Sequence, residues 1–587
     1  MSTAGSALTM ERTDAEPSLP ARSQLFAVIR RWWLPSILIV VLGLLVAYPL
    51  AILIYASFRT RAPAPGEAFA GEFTLANYAA ILDSSNLIAV ANSAMVGILA
   101  TAAAAVLGGG LAWLVARTDV PLPRLVAFAG LTPLFISPVV AAIAWSTLAS
   151  PNRGYLNLLF EDLGIDFRVD VYTLPGVILV LAMYYAPYMF LYTRNSLNLM
   201  NSELEEAALI HGGNRWHVLR HVTIPLLTPT LLGASAITLV LVVENFPVPQ
   251  ILGANGSVVL IPSQIYTLMQ AAPSRPTEAS ALGMVLLVLM IALVAFQQRA
   301  MKRRSFVTVT GKGARASLTR LRGWRWPLFA VAMVYLLLAA VLPFFALIQT
   351  ALRRSQYVAG IGDLFDAGQW TIDRFIRLIG NSGFQNVLIN TAIVGLASAV
   401  VGVGLYSVLA YVVARTNLPS RRALHQLAMA PAAVPALVIG IAFLWAWLIL
   451  PIPIYGTLAI LVVAYVARFV PQGFSSVLGN LTQIHDDMED SAAMAGAGRI
   501  RSITWVTVPL VRSGLVSMAL LMIVLTLREL STSIFLFTSR TEVISVRLFQ
   551  AYETADMATV AWIALILSAA LFVLAFFGRR ALLGRGI

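Results

Sequence analysis

The chain reads as long apolar blocks separated by short polar ones, and the blocks are long enough to cross a bilayer. A helix needs about 20 apolar residues to do so. Blocks of that size occupy 33–56, 88–116, 124–149, 171–193, 224–243 and 280–298, then 326–350, 388–414, 424–450, 455–477, 509–527 and 557–578. The pattern predicts an all-α integral membrane protein with twelve spans. The tenth block contains Arg468 and follows Pro451-Ile452-Pro453. Residues 1–25 are polar, without a short apolar core that ends in a small-residue cleavage site. Residues 1–32 therefore predict a cytoplasmic tail rather than a signal peptide.

The blocks repeat. Asn92–Thr118 aligns without gaps to Asn390–Thr416, with eleven of 27 positions identical and a shared closing Ala-Arg-Thr. At an offset of 284, Pro187 aligns with Pro471, and Glu206–Pro225 with Asp490–Pro509. Each half has an even number of spans, so both halves run in the same direction and are related by a pseudo-two-fold axis along the membrane normal. Inverted repeats need an odd number. The expected organisation is a first transmembrane half over 33–300, a basic cytoplasmic linker over 301–325 and a second half over 326–587. Neither half contains a GxxxxGK[ST] phosphate loop, so any ATP is bound by another subunit.

Composition narrows the classes further. The chain is 59% apolar and 11% charged, whereas a soluble domain carries about a quarter charged residues. Cysteine is absent, which excludes disulfides and thiolate chemistry. The net charge of +13 is topological: with the N-terminus inside, 27 of the 40 Lys and Arg residues fall on the cytoplasmic side. No soluble basic domain exists to carry nucleic acid.

Between the fourth and fifth spans of each half lies a matching polar segment. The first runs Glu203-Leu204-Glu205-Glu206-Ala207-Ala208 to Gly212 and on to Pro225; the second runs Asp487-Met488-Glu489-Asp490-Ser491-Ala492 to Gly496 and on to Pro509. Acids suit the N-terminus of a short helix, glycine suits its C′ position, and proline suits the first turn of the following span. These segments resemble the EAA signature of ABC importer permeases. Glu206, Ala207, Ala208, Gly212 and Pro225 keep the signature, while the second copy has Asp490 and Ser491 with Ala492, Gly496 and Pro509 retained. Val243–Pro247, Leu252-Gly253 and Leu527–Leu530 are similar to the ferric-iron permease group, whose relatives include thiamine, polyamine and phosphonate permeases. The resemblance implies a type I ABC importer transmembrane fold in a bacterial inner membrane, with both termini cytoplasmic. It implies a homodimer of an ABC ATPase subunit holding ATP and Mg, a soluble substrate-binding protein outside, and no cofactor on this chain. It implies a permease rather than an enzyme, with ferric iron as the expected substrate. An ion-coupled secondary transporter is the alternative from another class.

Glu244 and Glu529 fall at nearly equivalent places after the fifth and eleventh spans, with Arg528 beside the second. They read as candidate pathway groups, as solvated helix ends or as an ion pair between helices. Arg468 reads as snorkelling to the interface, Tyr184, Tyr185 and Pro187 as packing and kink residues, and Gly108–Gly110 as close helix packing. His217 and His221 have i,i+4 spacing but no HExxH, so no metal site is expected.

Overall fold

The computed structural model describes residues 33–583, apart from 65–66, 68–70, 201–202, 303–318 and the single positions 417, 419, 451 and 486. The N-terminal tail and most of the linker lie outside the described residues. The first half contains α1 (Trp33–Ser57), α2 (Ser84–Arg117), α3 (Pro123–Phe135), α4 (Pro138–Ala149), α5 (Leu174–Leu199), α6 (Glu203–Ile210), α7 (Trp216–Val243), α8 (Pro249–Gly256), α9 (Ile261–Gln270) and α10 (Pro276–Phe296). The second contains α11 (Arg322–Leu352), α12 (Ser382–Arg415), α13 (Arg421–Ala433), α14 (Ala436–Ile449), α15 (Leu458–Leu481), α16 (Asp487–Met494), α17 (Arg499–Arg528), α18 (Ile544–Glu553) and α19 (Met557–Gly578). The chain is all-α, and ten of these helices among the described residues are long and apolar enough to cross a membrane.

Two predicted spans, 124–149 and 424–450, are not straight. Each is a helix pair, α3–α4 bent by 103° and α13–α14 by 110°. Prolines explain the breaks: Pro133 and Pro138 flank the first, and Pro431 and Pro435 the second, each withdrawing an N–H from the ladder. Apolar length alone does not register such a bend. A third bent pair, α8–α9 at 81°, lies in a segment read from sequence as a loop. Counting each of α3–α4 and α13–α14 as one span and setting α8–α9 apart, each half has five straight spans and one broken one among the described residues.

Pro187, Pro229 and Pro471 sit inside straight spans without a π-turn before them, whereas four further prolines are handled alike. π-Turns occupy Gly43–Ala47, Leu219–Thr223, Leu337–Val341 and Ile503–Thr507. Each ends two residues before a proline: Pro49, Pro225, Pro343 and Pro509. Widening the preceding turn removes the clash between the proline ring and the carbonyl one turn back. Pro225 and Pro509 therefore do not open their spans, as expected from sequence, but lie well inside α7 and α17.

The first helix of each half crosses to the other. Helix α1 packs on α14, and α11 packs on α3 and α4. Within the halves the tightest crossings are α2 on α5 and α12 on α15. A Cβ on Gly108 would sit 2.1 Å from the Ala186 carbonyl oxygen and 2.8 Å from Met189 Cβ. At the equivalent crossing the sizes are exchanged: Tyr406 stands at the position of Gly108, and Gly473 at that of Met189. A Cβ on Gly473 would come within 2.1 Å of the Tyr406 ring. The Tyr406 hydroxyl donates to the Val466 carbonyl at 2.6 Å. The duplicated contact has traded which helix supplies the bulk and which the glycine.

Of the three adjacent glycines, only Gly108 meets backbone; a Cβ on Gly109 comes no nearer than 3.9 Å to any atom, and one on Gly110 meets nothing within 4 Å. Gly108→Ala is expected to cost about 1–3 kcal/mol by overpacking, read as a lowered thermal midpoint in detergent. Gly109→Ala and Gly110→Ala are expected to be neutral. Equal effects at all three positions would refute the packing assignment.

Candidate translocation seam and coupling loops

Where a helix breaks inside an apolar region, its last carbonyls lose their intrahelical donors. Two arginines serve the two breaks. Arg468, on α15, donates from Nη1 to the Val434 carbonyl at 3.0 Å. Its Nη2 pairs with Glu244 Oε1 at 2.8 Å. Glu244 caps the end of α7 and also accepts from the Ala436 backbone N–H, so its charge faces the favourable N-terminus of α14. Arg528, the last residue of α17, donates from Nη1 to the Leu134 carbonyl at 2.8 Å and from Nη2 to the Tyr184 hydroxyl.

These contacts are related by the repeat. At the offset of 284, Arg528 is the counterpart of Glu244 and Arg468 that of Tyr184. Glu244 of the first half meets Arg468 of the second, and Arg528 of the second meets Tyr184 of the first. Two cross-half contacts exchanged by a two-fold operation must flank its axis. In a parallel-repeat transporter the pathway runs there.

Several sequence readings change. Arg468 does not snorkel; it is buried and ion-paired across the halves. Tyr184 packs, as expected, but its hydroxyl also partners Arg528. Glu529 is not the counterpart of Glu244. Its Oε1 accepts from the backbone N–H and hydroxyl of Thr532 at 2.9 and 3.0 Å, as Asn245 Oδ1 accepts from the Val248 N–H at 3.0 Å. Asn245 and Glu529 are equivalent turn caps, so the pairing read from sequence was one residue out of register.

The coupling segments form helices α6 and α16. Gly212 has φ +87° and Gly496 φ +84°, and both helices end alike. The Gly212 and Gly213 N–H groups donate to the carbonyls of Leu209 (3.1 Å) and Ala208 (3.0 Å); those of Gly496 and Ala497 donate to Ala493 (2.9 Å) and Ala492 (3.0 Å). This is the Schellman arrangement, and its left-handed residue favours glycine. Glu206, Ala207, Gly212, Pro225, Asp490, Gly496 and Pro509 are exposed, while Ala208 and Ala492 are half-buried.

The residues that anchor these helices are ones the motif does not name. Glu205 accepts from the Thr223 hydroxyl at 2.6 Å and lies 3.5 Å from Arg117. Glu489 accepts from the Thr507 hydroxyl at 2.7 Å and lies 3.8 Å from Arg415. Arg117 further donates to the Met200 carbonyl, and Arg415 to those of Leu481 and Ile484. Each anchor thus joins the foot of α2 or α12, the coupling helix and the π-turn before Pro225 or Pro509. The signal was present in the sequence: the acids and threonines repeat at the 284 offset, and the arginines belong to the repeated Ala-Arg-Thr. Beyond each anchor, large apolar side chains face outward at equivalent positions, Ile210 (83% exposed) with Met494 (85%), and Trp216 with Ile500.

His217 and His221 stack at 4.2 Å between ring centroids. Among the described residues no group of three or more His, Asp or Glu could hold a metal.

Residues 32–307 match the family described as "Binding-protein-dependent transport system inner membrane component". The chain is similar to the "Putative ferric transport system permease protein FbpB 1" of Haemophilus influenzae, 26% identical over 74% of this chain and 68% of that one. It is 25% identical to the "Ferric transport system permease protein FbpB" of Actinobacillus pleuropneumoniae, over 72% of this chain and 61% of that one. The "Spermidine/putrescine transport system permease protein PotB" of Salmonella typhimurium is 25% identical over 37% of this chain and 76% of its own length. A solved bacterial ABC transporter involved in alginate import aligns with a TM-score of 0.41 at 20% identity, over 48% of this chain and all of that one.

Removing one member of a buried ion pair leaves the other unpaired, at about 3–5 kcal/mol. Glu244→Gln and Arg468→Gln are each expected to lower thermal stability in detergent. The exchanged pair, Glu244→Arg with Arg468→Glu, is expected not to recover it, because an arginine would face the Ala436 N–H and a carboxylate the Val434 carbonyl. Full recovery would mean that the two charges act independently of the helix break.

Proposed function

The chain is an ABC importer permease, and on that premise we propose that it forms both halves of the membrane pore of a ferric-iron importer. The observation that carries this reading is the pair of anchored coupling helices, presented by two halves that a pseudo-two-fold axis relates. Two equivalent docking helices call for two equivalent ATPase subunits, so the partner is a homodimer of an ABC ATPase, which holds ATP and Mg. The exposed Ile210, Met494, Trp216 and Ile500 provide apolar contacts for its clefts. A soluble binding protein delivers the substrate on the opposite side. The basic linker and both termini are cytoplasmic, in keeping with the charge asymmetry.

Coupling follows from the anchors. Closure of the ATPase dimer on ATP moves α6 and α16. Arg117 and Arg415 transmit that movement to α2 and α12, and the π-turns transmit it to α7 and α17. Those last two helices end at Glu244 and Arg528, so the force reaches the seam.

Similarity to the ferric permeases over 72–74% of the chain supports iron as the substrate. The likeness to the spermidine/putrescine permease supports a polyamine as the second reading. Reconstitution with the cognate ATPase and binding protein, offering iron, polyamines, thiamine and phosphonates in turn, is expected to give ATP-dependent uptake of iron alone. Uptake of an organic solute with no response to iron would refute the substrate and leave the importer intact.

Gly212→Asp and Gly496→Asp are expected to abolish uptake and weaken ATPase binding while membrane insertion persists, with Gly212 at least as sensitive. Gly212→Asn, which tolerates the left-handed backbone and adds no charge, is expected to be milder. Undiminished transport by both aspartate variants would rule out coupling through these loops.

A further inference from the structure

The two arginines of the seam do the same structural work and differ in one respect. Arg468 holds the Val434 carbonyl and has Glu244 as counterion. Arg528 holds the Leu134 carbonyl and has only the neutral Tyr184 hydroxyl. Among the described residues, no carboxylate lies within ion-pairing distance of Arg528. Glu529, next to it in the chain, turns Oε1 to Thr532.

The partners of Arg528 are neutral acceptors, the Leu134 carbonyl and the Tyr184 hydroxyl, beside a cluster of phenols. Its guanidinium carbon lies 5.7 Å from the Tyr184 ring centroid. Tyr184 packs against Tyr185 at 5.0 Å and Tyr185 against Tyr188 at 5.9 Å. Phenols donate to oxyanions, and a guanidinium binds carboxylate or phosphate through two parallel N–H bonds. A cation held in an apolar span without a counterion is costly, and an anion relieves that cost. A bare trivalent cation would instead be repelled here.

We infer that Arg528, beside the axis between the halves, is the contact for an anionic group on the cargo, so that iron crosses as an anion-bearing complex rather than as the bare ion. The inference rests on the proposal that the cargo is iron. The carboxylates of the seam do not pair with it: Glu244 is held by Arg468, and Glu529 is turned to Thr532. The shared chemistry is an oxyanion ligand of the metal, with carboxylate and phosphate as its two sources.

The test is dual-label uptake by the complete transporter in proteoliposomes. Radiolabelled iron is supplied with labelled citrate in one arm and labelled phosphate in the other. The expected result is that iron and one of the two anions accumulate together in a fixed ratio. Arg528→Gln is expected to lower both labels about tenfold, the effect of one charge-assisted hydrogen bond, and Arg528→Lys to restore a large part. Tyr184→Phe, which keeps the guanidinium, is expected to retain the fixed ratio. Iron accumulating with neither anion overturns the inference, as does undiminished uptake by Arg528→Gln. If Arg528→Gln does not reach the membrane, the wild-type ratio decides alone. Absence of iron uptake by the wild type would fault the substrate proposal instead, so the two failures are separable.

Discussion

The structure depends on the satisfaction of two helix breaks inside an apolar region. A bend of more than 100° in α3–α4 and in α13–α14 exposes carbonyls that neither lipid nor apolar side chains can serve. Guanidinium is suited to this, because it carries several donors in a fixed plane and keeps some for a second partner. At both breaks that second partner belongs to the opposite half. The requirement to pair the backbone is thereby turned into the contact that joins the halves at their axis.

Duplication followed by divergence explains why the two sides are similar and not identical. The seam has Glu244 opposite Arg468 on one side and Arg528 opposite Tyr184 on the other. The helix crossings have glycine and methionine in the first half and tyrosine and glycine in the second. A contact between two copies can trade residues freely if their combined charge or volume is kept. At the crossings the match of a large side chain to a glycine was kept. At the seam the pairing was not, since Glu244 faces an arginine and Arg528 a tyrosine hydroxyl.

The coupling loops show the opposite behaviour. Their exposed residues have diverged, with Ser491 and Asp490 replacing Ala207 and Glu206, while the buried anchors are the same in both halves. Glu205 and Glu489, Thr223 and Thr507, and Arg117 and Arg415 repeat side chain for side chain. The difference follows from burial. An exposed signature residue can be met by adjustment in a partner, whereas a buried carboxylate needs its cation and hydroxyl in place. The anchor is therefore repeated more strictly between the halves than the exposed motif.

Apolar block length was enough to indicate the all-α membrane fold, because bilayer thickness acts directly on composition. The C′ glycines were legible too, since a left-handed backbone selects its residue locally. What the sequence left undetermined was long-range. The proline-driven breaks lay inside blocks of ordinary length and hydropathy, and the π-turns before Pro49, Pro225, Pro343 and Pro509 leave no compositional trace. Arg468 alone looks like a snorkelling side chain; only packing brings Glu244 to it across 224 positions of sequence. Partners that distant are set by how the two halves meet, a property of the assembled tertiary structure and not of any segment.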